Sequence, residues 1–197
     1  MIPIDHLIRR QKYEDAVEFA KTHDPLEKTG MTVPARFVHV DQSYYGAEAF
    51  LHDNLDDSLA EKLTRSRWGI INVWRPLKPL TRDPLGVCDG STVAEADLHE
   101  FIFQLKGPTG TYSDISKGDK VTAWYVRRPQ QPGAHKWWYL NGMTPDEVIL
   151  IKCFDSKKDV VRRTPHSAFE DKRYLDEEAR TSVEIRCLVF WEDQDVD

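Results

Sequence analysis

The segment His39-Val40-Asp41 has the residue types and spacing best suited to chemistry. In an extended strand, residues i and i+2 project from the same face. An imidazole nitrogen and a carboxylate oxygen would then stand side by side. With one more histidine, that pair makes the three-donor face that iron(II) uses in oxygenases, and the opposite positions stay open for other molecules. Val38 and Val40 alternate with the pair and predict a buried reverse face. An HxD alone also describes two polar residues on an exposed strand, so the third donor decides the matter. His6, His23, His52 and His99 fall in segments that read as helix, turn or loop. Of the other two, His166 sits just ahead of the last strand, where a barrel would return it beside residues 36–41, and is preferred to His135. His135 opens a Trp-rich strand and reads as a substrate-side or supporting group, or as a surface histidine.

These residues need a frame of strands. The spacing predicts a helix over residues 5–22, with Leu7, Ile8, Ala16, Val17 and Ala20 as core positions, then turns over 23–34. Residues 36–41 alternate as a strand. Ala47, Leu51, Leu55, Leu59 and Leu63 recur at helical spacing and predict one amphipathic helix over 44–65. A compact apolar strand follows at 68–74, stopped by Pro76. Residues 77–120 are rich in Pro, Gly and Asp and predict loops with short strands. Further strands are expected at 120–126, 136–140, 148–154 and 182–191. Helices first and then many strands predict a single β-rich sandwich or barrel domain over 1–197, with its core at about 35–192.

The bulk numbers agree with a packed domain. The chain has 197 residues, 40% of them hydrophobic, with 6 Trp, 7 Tyr and 8 Phe. Its net charge of −6 argues against a phosphate backbone as partner, since such binding needs concentrated Lys and Arg. Cys88, Cys153 and Cys187 are widely spaced and form no CxxC, so a zinc-thiolate site is not expected. Unpaired thiols fit a reducing compartment. No signal peptide and no apolar run of about 20 residues is visible, so a cytoplasmic protein without membrane contact is expected.

His39-x-Asp41, a distal His166 and Arg180-x-Ser182 together resemble the iron(II)/2-oxoglutarate dioxygenase superfamily. A closer likeness is to the fungal and bacterial family of secondary metabolism that includes cephalosporin 7α-methoxylase-like and gibberellin desaturase-like hydroxylase/desaturases. It rests on Val38-His-Val-Asp-Gln-Ser43, Ile71-Asn-Val-Trp-Arg-Pro-Leu77, Arg82-Asp-Pro-Leu85, Met143-Thr-Pro-Asp-Glu-Val148, Phe154-Asp-Ser156, Pro165-His-Ser-Ala-Phe169 and Ser182-Val-Glu-Ile-Arg186. Members of that family usually carry a longer segment ahead of the HxD strand than the 38 residues found here. The resemblance implies a double-stranded β-helix, the jelly-roll core, with iron(II), 2-oxoglutarate and dioxygen. It also implies a small-molecule substrate attacked at an unactivated C–H bond, giving hydroxylation, desaturation or ring closure while 2-oxoglutarate is oxidised to succinate and carbon dioxide.

Within that frame Arg180 and Ser182 share a strand face and could clamp the far carboxylate of 2-oxoglutarate, with Arg186 as the reserve candidate. The alternative for Arg180 is an ion pair with Asp176 or Glu177. Tyr139 could donate a hydrogen bond to a bound carboxylate, or belong to the core with Trp137 and Trp138. Asn72, Trp74 and Arg75 end a strand, and Asn72 or Arg75 could reach substrate or co-substrate. Otherwise Trp74 is core and Arg75 pairs with Asp83 or Asp89. Competing functions are an iron oxygenase that does not use 2-oxoglutarate, a non-catalytic metal-binding jelly roll, and a zinc hydrolase, for which Glu147 and Glu184 are poorly spaced as a base.

Overall fold

Period-two alternation dominates the chain. The structure, a computed structural model, describes residues 1–22, 32–104 and 120–196. His23, most of the expected turn at 23–34 and part of the loop-rich middle lie outside the described residues. Four strands make one sheet: β1 (Ile2–Arg9), β3 (Arg67–Pro76), β8 (Ile149–Asp155) and β10 (Ser182–Trp191), in the order β1-β10-β3-β8. Six make the other: β2 (His39–Val40), β4 (Leu85–Cys88), β5 (Leu98–Gln104), β6 (Lys120–Val126), β7 (Trp137–Tyr139) and β9 (His166–Ala168), in the order β5-β6-β2-β9-β4-β7. Every pairing is antiparallel. This is a jelly roll, as the family resemblance implies.

The register of β10 against β3 decides which side chains face inward. It sets Ser182, Glu184, Arg186 and Leu188 opposite Pro76, Trp74, Asn72 and Ile70. All of these are buried. The interior therefore holds charged and polar groups at the level of residues 182–186 and an apolar plug above them. Ile70, Ile151 and Leu188 are fully buried there, each contributing about 1.5–3 kcal/mol of transfer free energy.

The expected helix over 5–22 is corrected by the structure. Residues 2–9 form an edge strand paired with β10, and only Tyr13–Ala20 (α1) is helical. Ile2 and Ile4 alternate around Pro3, which a helix interior would not tolerate. A register shift between Pro3 and Asp5 breaks the alternation and hides the strand signal. The helix expected over 44–65 is two helices, α2 (Tyr44–Asn54) and α3 (Asp57–Leu63). Leu55 is extended between them and Asp56 starts the second. Ser43 caps α2 by accepting from the Gly46 amide at 2.9 Å. Gly46 allows close docking on β6, since a Cβ there would meet the Thr122 carbonyl at 2.1 Å. Among the described residues no helix is long and apolar enough to cross a membrane.

Candidate metal centre

Strands β2 and β9 are short, yet they place two imidazoles side by side, tilted by 56°. His39 and His166 are direct partners across the antiparallel pair, with ring centroids 4.5 Å apart. Asp41 follows β2 immediately and turns its carboxylate between them. Its Oδ1 lies 3.4 Å from Nε2 of His39 and 3.7 Å from Nε2 of His166. The three donor atoms lie within 4.8 Å of one another. Metal–ligand bonds of about 2.1 Å at right angles put neighbouring donors roughly 3.0 Å apart. The three groups are thus close to one face of an octahedron before any ion is bound.

Hydrogen bonding fixes which ring nitrogens are available. His39 Nδ1 lies 2.8 Å from the Phe37 carbonyl, and His166 Nδ1 lies 3.1 Å from the Thr164 carbonyl. A carbonyl only accepts, so each Nδ1 carries a proton and each Nε2 faces Asp41; burial opposes charge on His39, but the neighbouring Asp41 carboxylate raises its pKa, so its Nε2 proton points to Oδ1 and would be displaced by a metal. Asn72 donates from Nδ2 to Asp41 Oδ2 at 2.6 Å, which leaves Oδ1 for the imidazoles. Burial and the neighbouring His39 drive His166 down to about 4, so it is neutral at pH 7. Burial also opposes charge on Asp41, but hydrogen bonding from His39 and the two imidazoles hold its carboxyl far below the usual carboxylate range. A neutral donor and a permanent carboxylate are the forms a metal needs.

A family profile described as "Oxidoreductase/YMDC permease-like domain" matches residues 1–190. Hydroxylase/desaturase CTB9 of Cercospora beticola is 43% identical over 98% of this chain, and hydroxylase/desaturase asaB of Aspergillus flavus is 43% identical over 79% of it and 70% of its own length. Among solved structures, the iron and alpha-ketoglutarate-dependent endoperoxidase NvfI superposes over 96% of this chain and 61% of its own, with a TM-score of 0.73 and 29% identity. The chain belongs to the hydroxylase/desaturase family of iron(II)/2-oxoglutarate-dependent dioxygenases. It spans 59% of the length of CTB9 and 65% of that of hydroxylase/desaturase efuI of Hormonema carpetanum.

The other residues expected to serve the site separate into three groups. Asn72 is at the centre through Asp41. Arg180 and Ser182 are buried on the inner side of the β10 end. Arg180 donates from Nη1 to the Asp83 carbonyl at 2.8 Å and lies over the Trp74 ring at 5.4 Å. Its Nε and the Ser182 hydroxyl have no hydrogen-bond partner among the described residues. Burial, with Arg9 nearby, brings Arg180 down to about 9, so it keeps its charge at pH 7. No ion pair of Arg180 with Asp176 or Glu177 forms among the described residues; Asp83 takes that place through its backbone.

Tyr139, Arg75 and His135 stand away from the triad, contrary to expectation. Tyr139 pairs with Gly86, on the face opposite to His166, and packs edge-on against Phe169 at 5.1 Å. The single-residue parity of β7 excludes it from the interior. Arg75 is exposed on the outer face of β3, one residue out of phase with Asn72. His135 is buried but pairs with Asp97 at 3.1 Å under the loop that precedes β5. Trp74 is core, beneath Arg180.

Two interior groups carry more weight than the sequence suggests. Glu184 shares its face with Ser182 and Arg186, and burial pushes it up to about 7, with Asp41 adding to the effect. Parity along β10 identifies it as inward-facing. Asp83 is buried with φ of 52°, in the left-handed region that non-glycine residues avoid. Its carboxylate takes the Arg36 guanidinium at 2.7 Å while its carbonyl takes Arg180. Only the Asp-Pro pair at 83–84, a turn signal, points to it in the sequence.

Proposed function

We propose that the chain is the dioxygenase domain of an iron(II)/2-oxoglutarate-dependent oxygenase that oxidises a small-molecule secondary metabolite in the cytoplasm. The observation that carries this is the convergence of two imidazole nitrogens and one carboxylate oxygen within 4.8 Å, in a chain of this family. His39, Asp41 and His166 hold the iron. Asn72 fixes the Asp41 carboxylate so that Oδ1 faces the metal, and the Phe37 and Thr164 carbonyls hold both imidazoles in the binding tautomer. When bound, iron supplies the activation of dioxygen, with electrons drawn from oxidative decarboxylation of 2-oxoglutarate.

Arg180 and Ser182 receive the far carboxylate of 2-oxoglutarate. Both are buried, and each has a donor unused among the described residues. A carboxylate would satisfy the guanidinium Nε–H and the hydroxyl together. Arg186 already faces Asp5 at 3.2 Å, so Arg180 is the better clamp. The net charge of −6 supports a small molecule over nucleic acid. The test is Arg180→Ala. Loss of a charge-assisted pair worth about 1.5–3 kcal/mol weakens 2-oxoglutarate by roughly 10- to 150-fold while iron affinity stays near the parent value. Unchanged 2-oxoglutarate affinity removes Arg180 from the site and directs the test to Arg186.

A further inference from the structure

The edge strand β1 faces β10 with a row of its own. The register sets Asp5 opposite Arg186, Leu7 opposite Glu184 and Arg9 opposite Ser182. Direct partners in an antiparallel pair share a face, with Cβ atoms about 5 Å apart. Arg186, Glu184 and Ser182 are buried on the inner side of β10, so Asp5, Leu7 and Arg9 project to that side as well. At the level of Arg186 the charges match, because Asp5 lies 3.2 Å from Arg186 Nη1. At the level of Ser182 they do not. Arg9 from β1 and Arg180 from the segment just ahead of β10 both bring a guanidinium there.

Neither guanidinium meets a carboxylate among the described residues. Arg9 donates from Nη1 to the Val33 carbonyl at 2.7 Å, and Arg180 from Nη1 to the Asp83 carbonyl at 2.8 Å. A backbone carbonyl positions a guanidinium but leaves its charge uncompensated. The acids nearby are engaged elsewhere or stand apart. Asp83 gives its carboxylate to Arg36 at 2.7 Å. Glu184 acts on Arg9 and Arg180 through space, without a hydrogen bond or an ion pair to either among the described residues. Arg9 also opposes the charge on Arg180, second only to burial. Two like charges gathered inside a fold are costly until an anion joins them. The donors for one are already in place. Arg180 Nε and the Ser182 hydroxyl have no partner among the described residues, and Arg9 donates there through Nη1 alone. A carboxylate offers two oxygens with about four lone-pair directions, enough to accept from both forks and the hydroxyl.

We propose that Arg9 is a second guanidinium of the co-substrate site, so that the far carboxylate of 2-oxoglutarate is held between two strands, by Arg9 of β1 and by Arg180 and Ser182 at the start of β10. This rests on the oxygenase reading above and adds a binding residue and a rule of selection. A 2-oxo acid without a far carboxylate leaves the two guanidinium groups facing one another and is disfavoured. The dicarboxylate relieves that repulsion as it binds, and it ties the edge strand to its neighbour.

The experiment uses the full chain loaded with nickel(II), which supports binding without turnover. The probes are 2-oxoglutarate and 2-oxopentanoate, the same carbon chain with a methyl group in place of the far carboxylate. Calorimetry measures both for the parent, Arg9→Ala, Arg9→Lys and Arg180→Ala. The parent is expected to prefer 2-oxoglutarate. Arg9→Ala should weaken 2-oxoglutarate roughly 10- to 100-fold, through loss of a charge-assisted contact, and leave 2-oxopentanoate within about twofold of the parent. Arg9→Lys keeps the charge but loses the fork, so it should weaken 2-oxoglutarate by about 3- to 10-fold. Unchanged 2-oxoglutarate affinity in Arg9→Ala overturns the proposal; if Arg180→Ala is weakened in the same series, the oxygenase reading stands without Arg9. Equal loss of both probes in Arg9→Ala also overturns it, because a residue that only supports β1 does not distinguish a carboxylate from a methyl group. Should Arg9→Ala fail to fold, Arg9→Lys decides: 2-oxoglutarate affinity equal to that of the parent overturns the proposal. If the parent itself binds 2-oxoglutarate no better than 2-oxopentanoate, the co-substrate reading fails, and the assignment of Arg9 falls with it.

Discussion

Removing the Asn72 amide isolates the contribution of one hydrogen bond to the metal centre. Asn72 is fully buried and its Nδ2 donates to Asp41 Oδ2 at 2.6 Å. Asn72→Leu keeps the approximate volume and deletes the donor. The bond is charge-assisted and buried, so its loss costs about 1.5–3 kcal/mol, and Asp41 turns its carboxylate to find another partner. Metal affinity should drop roughly 10- to 100-fold, the usual effect of losing a group that orients a ligand. Asn72→Asp sharpens the test. At low pH the new carboxyl is protonated and donates as the amide did. As pH rises, two carboxylates within 2.6 Å cannot both ionise freely, and metal binding must supply the energy to do so. Nickel(II) titrations from pH 5.5 to 8.5 should show Asn72→Asp close to the parent at the acid end and progressively weaker towards the alkaline end. If Asn72→Leu binds nickel within twofold of the parent, Asp41 is oriented by something else and the argument is refuted.

Other outcomes follow from the same geometry. Alanine at His166 should abolish measurable iron binding, while alanine at His135, which only pairs with Asp97, should keep most of it; equilibrium dialysis distinguishes the two. Asp83→Val should lower the melting temperature more than Asp83→Gly, because a β-branched residue resists a φ of 52° that glycine accepts, although both lose the Arg36 pair. Glu184 is held near 7 in the fold against an ordinary value of 4.5, so its stabilising contribution is fully present below pH 4.5 and is lost as pH rises through 7. Glu184→Gln should therefore gain on the parent by up to about 3 kcal/mol between pH 4.5 and 8 in denaturant titrations of the metal-free protein; an offset that does not change with pH contradicts this.

The metal ligands were legible because their chemistry is local. His39 and Asp41 carry the i, i+2 signature, and His166 lies in a segment followed by a clear strand. Strands β3, β8 and β10 were equally visible, since their apolar runs are long and bounded by turns. The edge strand β1 was not. Its alternation is interrupted at Pro3–Asp5, and its identity depends on pairing with β10 far along the chain. Tyr139 was misplaced for a related reason. Parity within a three-residue strand can be assigned only once the register against β4 is known. The inward acids Asp5 and Glu184 and the turn at Asp83 gain their meaning from the partners Arg186 and Arg36, which no short window of sequence contains.

The Asp83 turn also bears on how the chain folds. It joins Arg36, 47 residues upstream, to Arg180, 97 residues downstream. Closing loops of that length is entropically costly and slow, and topologies rich in such contacts fold late and all at once. Asp83 thus ties the segment just ahead of the ligand strand β2 to the segment just ahead of β10. If Arg180 receives 2-oxoglutarate as proposed, a chain in which this turn has not closed lacks that clamp. Iron and 2-oxoglutarate, bound as proposed, would then stabilise the folded chain by mass action.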